Sequence, residues 1–65
     1  MEKLTARECD VLDLMKHGYD NNEIANIVFV SKHTVKAHVT AIIRKFHAKN
    51  RTNVIHLAHK EGIIK

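Results

Sequence analysis

The sequence of 65 residues predicts an all-α fold: a four-helix bundle containing a helix-turn-helix, in a single domain over residues 1–65. Three observations predict it. Apolar residues recur at i, i+3, i+4 and i+7 along the chain, the spacing of one helix face. Helix-start signals precede those stretches at Thr5, Asp20, Ser31 and Asn50. There is no proline, and the two glycines, Gly18 and Gly62, stand where helices would stop.

Taken in order, Thr5 and Glu8 have the spacing of a capping box, in which each side chain satisfies the other's free backbone N–H. Leu4, Val11, Leu12, Leu14 and Met15 follow as an apolar stripe, and Lys16 and His17 suit the negative end of a helix dipole. Helix 1 is expected over about residues 6–17, closed by Gly18 in a left-handed conformation. Asp20 and Glu23 form a second box, opening a short helix 2 over about residues 21–28. Its buried face is expected to be Ile24, Ala25, Ile27 and Val28. Phe29 and Val30 make a tight joint, read as a turn without positive φ in which Phe29 packs.

Ser31 caps helix 3, about residues 31–46, whose Val35, Val39, Ile42 and Phe46 recur on one face. The opposite face carries His33, Ala37, Thr40 and Arg44, with Lys36 on its shoulder and no carboxylate. A short helix, a tight joint and a cationic helix together describe a helix-turn-helix. Asn50 caps helix 4, about residues 51–61, with Val54, Leu57 and Ala58 inward and Thr52, Ile55 and His59 on a partly separate face. Ile63 and Ile64 are expected to fold back on the core.

Charge is distributed unevenly. The net charge is +4, yet six of the seven acidic residues lie within the first 23 positions, and none occurs from Ile24 to Lys60. That span holds seven Lys and Arg residues and five histidines. Such asymmetry points to a nucleic acid or another anionic partner, with a merely solvated basic face as the alternative. The single cysteine, Cys9, excludes an internal disulfide and fits a reducing cytoplasm. No apolar run is long enough for a membrane span, and no signal peptide is seen.

Several separated motifs then agree with one family. Leu4-Thr5-x-Arg7-Glu8, Val11-Leu12, Gly18-x-x-Asn21-x-Glu23-Ile24-Ala25, Ser31-x-x-Thr34-Val35-Lys36-x-His38, Ile42-x-x-Lys45 and Asn50-Arg51-Thr52 resemble the LuxR/GerE-type helix-turn-helix. This is the domain that also ends response regulators of the NarL/FixJ class. The resemblance runs from Leu4 to Ile64. It implies a transcription regulator of the bacterial cytoplasm, with helix 3 in the major groove of double-stranded DNA and helix 4 as a homodimer contact. The departures are Phe46 where leucine is usual, Asp20 as cap in place of Ser or Thr, and Asn53 where alanine often precedes valine.

The face argument and the resemblance together make Lys36, Ala37 and Thr40 the candidates for base contact. Lys36 can donate to guanine O6 or N7, Thr40 can meet either kind of base, and Ala37 can touch a thymine methyl. Thr40 and Ala37 could instead be spacers that permit close approach. Backbone contact is expected from Lys32, His33, Thr34, Arg44, Lys45, Lys49 and Arg51, with Arg51 having a rival role as a tie to an acidic residue of helix 1. His38 reads as a packed histidine rather than a DNA contact, and Glu8 and Glu23 as structural. The dimer face would be Thr52, Ile55 and His59.

No catalytic residue, cofactor or metal is expected. The chain has no paired-carboxylate cleft and no phosphate loop, and His56 and His59 lack a third ligand nearby. The rival function is a protein-interaction module that sets the cationic helix on an acidic partner such as RNA polymerase.

Overall fold

In the computed structural model, which describes residues 2–64, four helices follow one another: α1 (Ala6–Lys16), α2 (Asn21–Val28), α3 (Lys32–Phe46) and α4 (Arg51–Lys60). Among the described residues there is no strand. Helix α3 packs against each of the other three, and α1 also touches α2 and α4. Helix α3 is therefore the axis of the core. Val35, Val39, Ile42 and Phe46 of α3 meet Val11, Leu12 and Met15 of α1, Ile24 and Ala25 of α2, and Val54 and Ala58 of α4, all buried. Leu57, Leu14, Val28 and Ile64 pack on the rim of this cluster.

Each helix starts as its cap residue dictates. The Thr5 hydroxyl accepts from the Glu8 N–H at 3.1 Å, and the Glu8 carboxylate accepts from the Thr5 N–H at 2.9 Å. Asp20 and Glu23 repeat the reciprocal pair at 2.9 Å in both directions. Ser31 Oγ accepts from the Thr34 N–H at 3.0 Å, and Asn50 Oδ1 from the Asn53 N–H at 2.8 Å.

The four helices also end alike. A residue with positive φ follows each one: Gly18 at 88°, Phe29 at 59°, His47 at 53° and Gly62 at 73°. The next residue donates its N–H five positions back, Tyr19 to Leu14, Val30 to Ala25, Ala48 to Ile43 and Ile63 to Ala58, at 2.9–3.2 Å. This is the Schellman closure, which satisfies carbonyls that the last helical turn leaves open. It returns the chain within two residues, which is how 65 residues hold four helices.

Three expectations are corrected. Phe29 takes the left-handed conformation and stands 90 % exposed, rather than packing in a turn without positive φ. The reason is geometric: the closure of α2 needs that conformation at this position, and the side chain then points outward. Ile27 is exposed, because it lies off the arc formed by Ile24, Ala25 and Val28. Of the last two isoleucines, Ile64 packs on the core while Ile63 stays exposed.

A left-handed residue with a Cβ costs about 1 kcal/mol or more. Phe29→Gly is therefore expected to stabilise the fold by roughly 0.5–1 kcal/mol, since so little burial is lost. Gly18→Ala should destabilise by about 1 kcal/mol through strain alone, as the space around a Cβ there is open. Urea denaturation of both variants beside the wild type measures the two effects.

Candidate nucleic-acid interface

The exposed side of α3 is built from Lys32, His33, Lys36, Ala37, Thr40 and Arg44, all of them solvent-exposed. It faces outward because Val35, Val39, Ile42 and Phe46 anchor the other side. The three base-contact candidates, Lys36, Ala37 and Thr40, lie together at the middle of this surface, with His33 and Arg44 on the same face towards its two ends. His38 is half-buried at the boundary of the core.

The start of α3 differs electrically from those of α1 and α2. Those two helices place a glutamate in their first turn, whereas α3 has none. Ser31 covers the Thr34 N–H, and the Ser31 and Thr34 hydroxyls lie 3.0 Å apart. The positive end of the α3 dipole thus faces solvent without an acidic neighbour in its own turn, the arrangement that suits a phosphate. Lys32 stands beside it, and exposed Lys49 lies in the loop between α3 and α4.

Two of the expected backbone contacts are engaged elsewhere. Lys45 is buried, and its ammonium donates to Glu8 at 2.5 Å and to the Lys3 carbonyl at 3.2 Å. It ties α3 to α1 and to the segment before α1, so it is withdrawn from the outer surface. Glu8 lies on the same side of α1 as Leu12 and Met15, and a carboxylate on an apolar face calls for a buried cation. That placement was the available signal for Lys45. Burial alone would push the Glu8 carboxyl up. The hydrogen bond and charge of Lys45, with the Thr5 N–H and hydroxyl, more than offset it and hold the group below its ordinary value.

Arg51 is the second. Its guanidinium donates to the Asn21 side chain and, at 2.7 Å, to the Tyr19 carbonyl. The tie is structural, but it runs to the loop before α2 and the first residue of α2, not to an acid of helix 1. It holds the start of α4 against the start of α2, two helices that do not otherwise pack. Arg51 and Lys32 line an open polar cleft with Tyr19, Asp20 and Asn22.

Arg44 is exposed but not without a partner: one of its terminal nitrogens lies 3.2 Å from both carboxylate oxygens of Glu2. On α4, Thr52 and His59 are exposed, while Ile55 is half-buried against the core. Among the described residues no group of three or more His, Cys, Asp or Glu side chains could hold a metal ion. No helix there is long and apolar enough to cross a membrane.

A helix-turn-helix with an acid-free outward helix is thus on view, and the comparisons with known proteins agree with it. Residues 2–58 match the model of the GerE family, bacterial regulatory proteins of the luxR family. The chain belongs to the LuxR family. Within that family it is a helix-turn-helix domain of DNA-binding transcription regulation. It is 42 % identical over 62 residues to the transcriptional regulatory protein DegU of Brevibacillus brevis, covering 95 % of this chain and 26 % of that one. To the response regulator protein VraR of Staphylococcus aureus it is 38 % identical over 63 residues, covering 97 % of this chain and 30 % of that one. Among solved structures it resembles the response regulator ChrA of a heme-sensing two-component system, with a TM-score of 0.91 and 34 % identity. That match covers 98 % of this chain and 32 % of ChrA. The chain thus spans between a quarter and a third of the length of these LuxR-type relatives.

Removing one partner of a buried ion pair leaves the other charge uncompensated, at a cost of about 3–5 kcal/mol. Lys45→Met is expected to destabilise the domain by about 3 kcal/mol, and adding Glu8→Gln should recover part of it. The pH dependence follows from the lowered Glu8 value. Ionised Glu8 contributes stability above the unfolded-state carboxylate range, and that contribution is lost as pH falls through its lower folded-state value. Urea midpoints measured from neutral pH downward should drop for the wild type and drop less for Glu8→Gln.

Proposed function

We propose that this domain binds double-stranded DNA sequence-specifically, as a bacterial transcription regulator or the effector part of one, with α3 in the major groove. The observation that carries the proposal is the outward side of α3, polar and cationic with no carboxylate of its own, on a helix whose other side is locked into the core. His33 and Arg44 are eleven residues apart, roughly 16 Å along the axis at 1.5 Å per residue. A major groove about 12 Å wide takes the middle of such a face and leaves its ends near the phosphate backbones. Lys36, Ala37 and Thr40 therefore read base edges, while His33 and Arg44 meet phosphate together with Lys32, the α3 N-terminus and Lys49. Lys45 and Arg51 support the surface from behind and leave the set of backbone contacts.

Phosphate contacts set register and supply strength, and base contacts supply specificity. One such domain neutralises about four phosphates and binds weakly, so useful affinity comes from a homodimer on two half-sites. The face of α4 formed by Thr52, Ile55 and His59 is available for that pairing. A protein of this class acts in the cytoplasm, where the chromosome is.

The test is anisotropy against a duplex selected from a random pool and against its scrambled version. Log affinity should fall with log salt at a slope of about −3 to −4. Lys36→Ala should remove roughly 1–3 kcal/mol of the preference for the selected duplex. Lys49→Ala should weaken both duplexes alike and reduce the slope by about 1. Equal losses on both duplexes for Lys36→Ala would overturn its assignment as a base reader.

A further inference from the structure

The segment ahead of α1 lies against the end of α3, and three contacts hold it there. Glu2 places both carboxylate oxygens 3.2 Å from Arg44 Nη1, and its Oε2 lies 4.0 Å from Lys45 Nζ. Lys45 in turn donates to the Lys3 carbonyl at 3.2 Å. The Lys45 contacts are half-buried or buried and anchor the strap. The Arg44–Glu2 contact is different in kind, because both side chains are more than half exposed. Two exposed side chains of opposite charge hold each other loosely in water and exchange readily for another partner. Glu2 is also an exposed acidic group that the fold brings onto this end of α3 from far along the chain, where the helix itself supplies none and where Glu8 is buried against Lys45.

We propose that Glu2 is an affinity-setting residue: it competes with a DNA phosphate for Arg44, so the strap before α1 holds DNA binding below what the α3 surface alone would give. The inference rests on the reading of α3 as the DNA-facing helix. With Glu2 on Arg44, one guanidinium is neutralised and one carboxylate stands near the path of the phosphates. Binding then requires Arg44 to trade a carboxylate for a phosphate, and the net gain from that contact is small. With Glu2 neutral or moved away, the same arginine adds a full phosphate contact. Whatever displaces the strap by a few ångströms raises affinity without touching a base-reading side chain, and it raises it on all sequences equally. The anchors at Lys3 and Lys45 make the strap's position depend on the seating of α1 against α3, so the contact is set by the fold and not by chance encounter.

The experiment is anisotropy of the 65-residue chain with one labelled duplex, over about 50–200 mM salt, for the wild type, Glu2→Gln, Arg44→Gln and the double variant. Glu2→Gln should bind about three- to five-fold tighter at the low-salt end. Arg44→Gln should lose little in the wild-type background. In the Glu2→Gln background it should remove the gain, leaving less than a two-fold difference. A gain from Glu2→Gln that survives intact beside Arg44→Gln would mean simple repulsion by the carboxylate and overturns the competition. Salt-sensitive binding by the wild type with no change in Glu2→Gln also overturns it, while leaving the DNA-binding reading in place. Absence of salt-sensitive binding in the wild type and in Glu2→Gln overturns both.

Discussion

A carboxylate on the buried side of α1 constrains much of the rest of this domain. Glu8 first closes the capping box that starts α1, and the same oxygen that accepts from the Thr5 N–H also accepts from Lys45. An ionised carboxylate under an apolar layer must find a cation, and α3 supplies one from a position beside its apolar stripe. The orientation of α3 about its own axis is thereby fixed on one side by the ion pair and on the other by Val35, Val39, Ile42 and Phe46. Rotating α3 to another packing would break the pair and leave two buried charges unmatched, a cost comparable with much of the stability of a domain this small. Which residues α3 offers to solvent is therefore decided in the interior.

The connections carry a second constraint. All four helices close with the same left-handed residue and the same backward hydrogen bond, so the bundle turns its corners within a few residues each time. Glycine meets this requirement at Gly18 and Gly62 without strain. Phe29 and His47 meet it with a Cβ in place, and both flank α3. The helix that presents the polar surface is thus held between two conformationally costly closures, which the packing on either side of them must outweigh.

Charge is partitioned by the same architecture. The acids of the first third of the chain are largely engaged: Asp20 and Glu23 against each other's backbone N–H groups, Asp10 near Arg7 at 3.8 Å, and Glu8 across the core against Lys45. The long acid-free stretch then forms most of α2, the joint after it, α3, its following loop and α4. A polyanion approaching that side meets lysines and an open helix N-terminus, with Glu2 as an exposed carboxylate that the fold returns to the end of α3. The chain that carries this arrangement belongs to a family of bacterial regulatory proteins.

Local chemistry determined the elements. Thr5, Asp20, Ser31 and Asn50 cap their helices by interactions within three residues, and the apolar spacing of α3 needs no knowledge of its neighbours. For that reason four helices, their order and the polar side of α3 were legible along the chain, and several motifs at fixed spacing carried the family. Contacts between residues far apart were not legible, because nothing local marks them. Lys45 read as a surface cation until α1 comes to meet it, 37 positions away. The tie weighed for Arg51 finds its partners in Asn21, 30 positions away, and the loop before α2 rather than in an acid of helix 1. Phe29 read as a packed turn residue, and only the closure of α2 against the core sets its backbone left-handed and turns its ring to solvent. The pairing of Arg44 with Glu2, 42 positions apart, belongs to the same class. Periodicity reports which residues share a side of a helix, and the tertiary structure alone decides what that side meets.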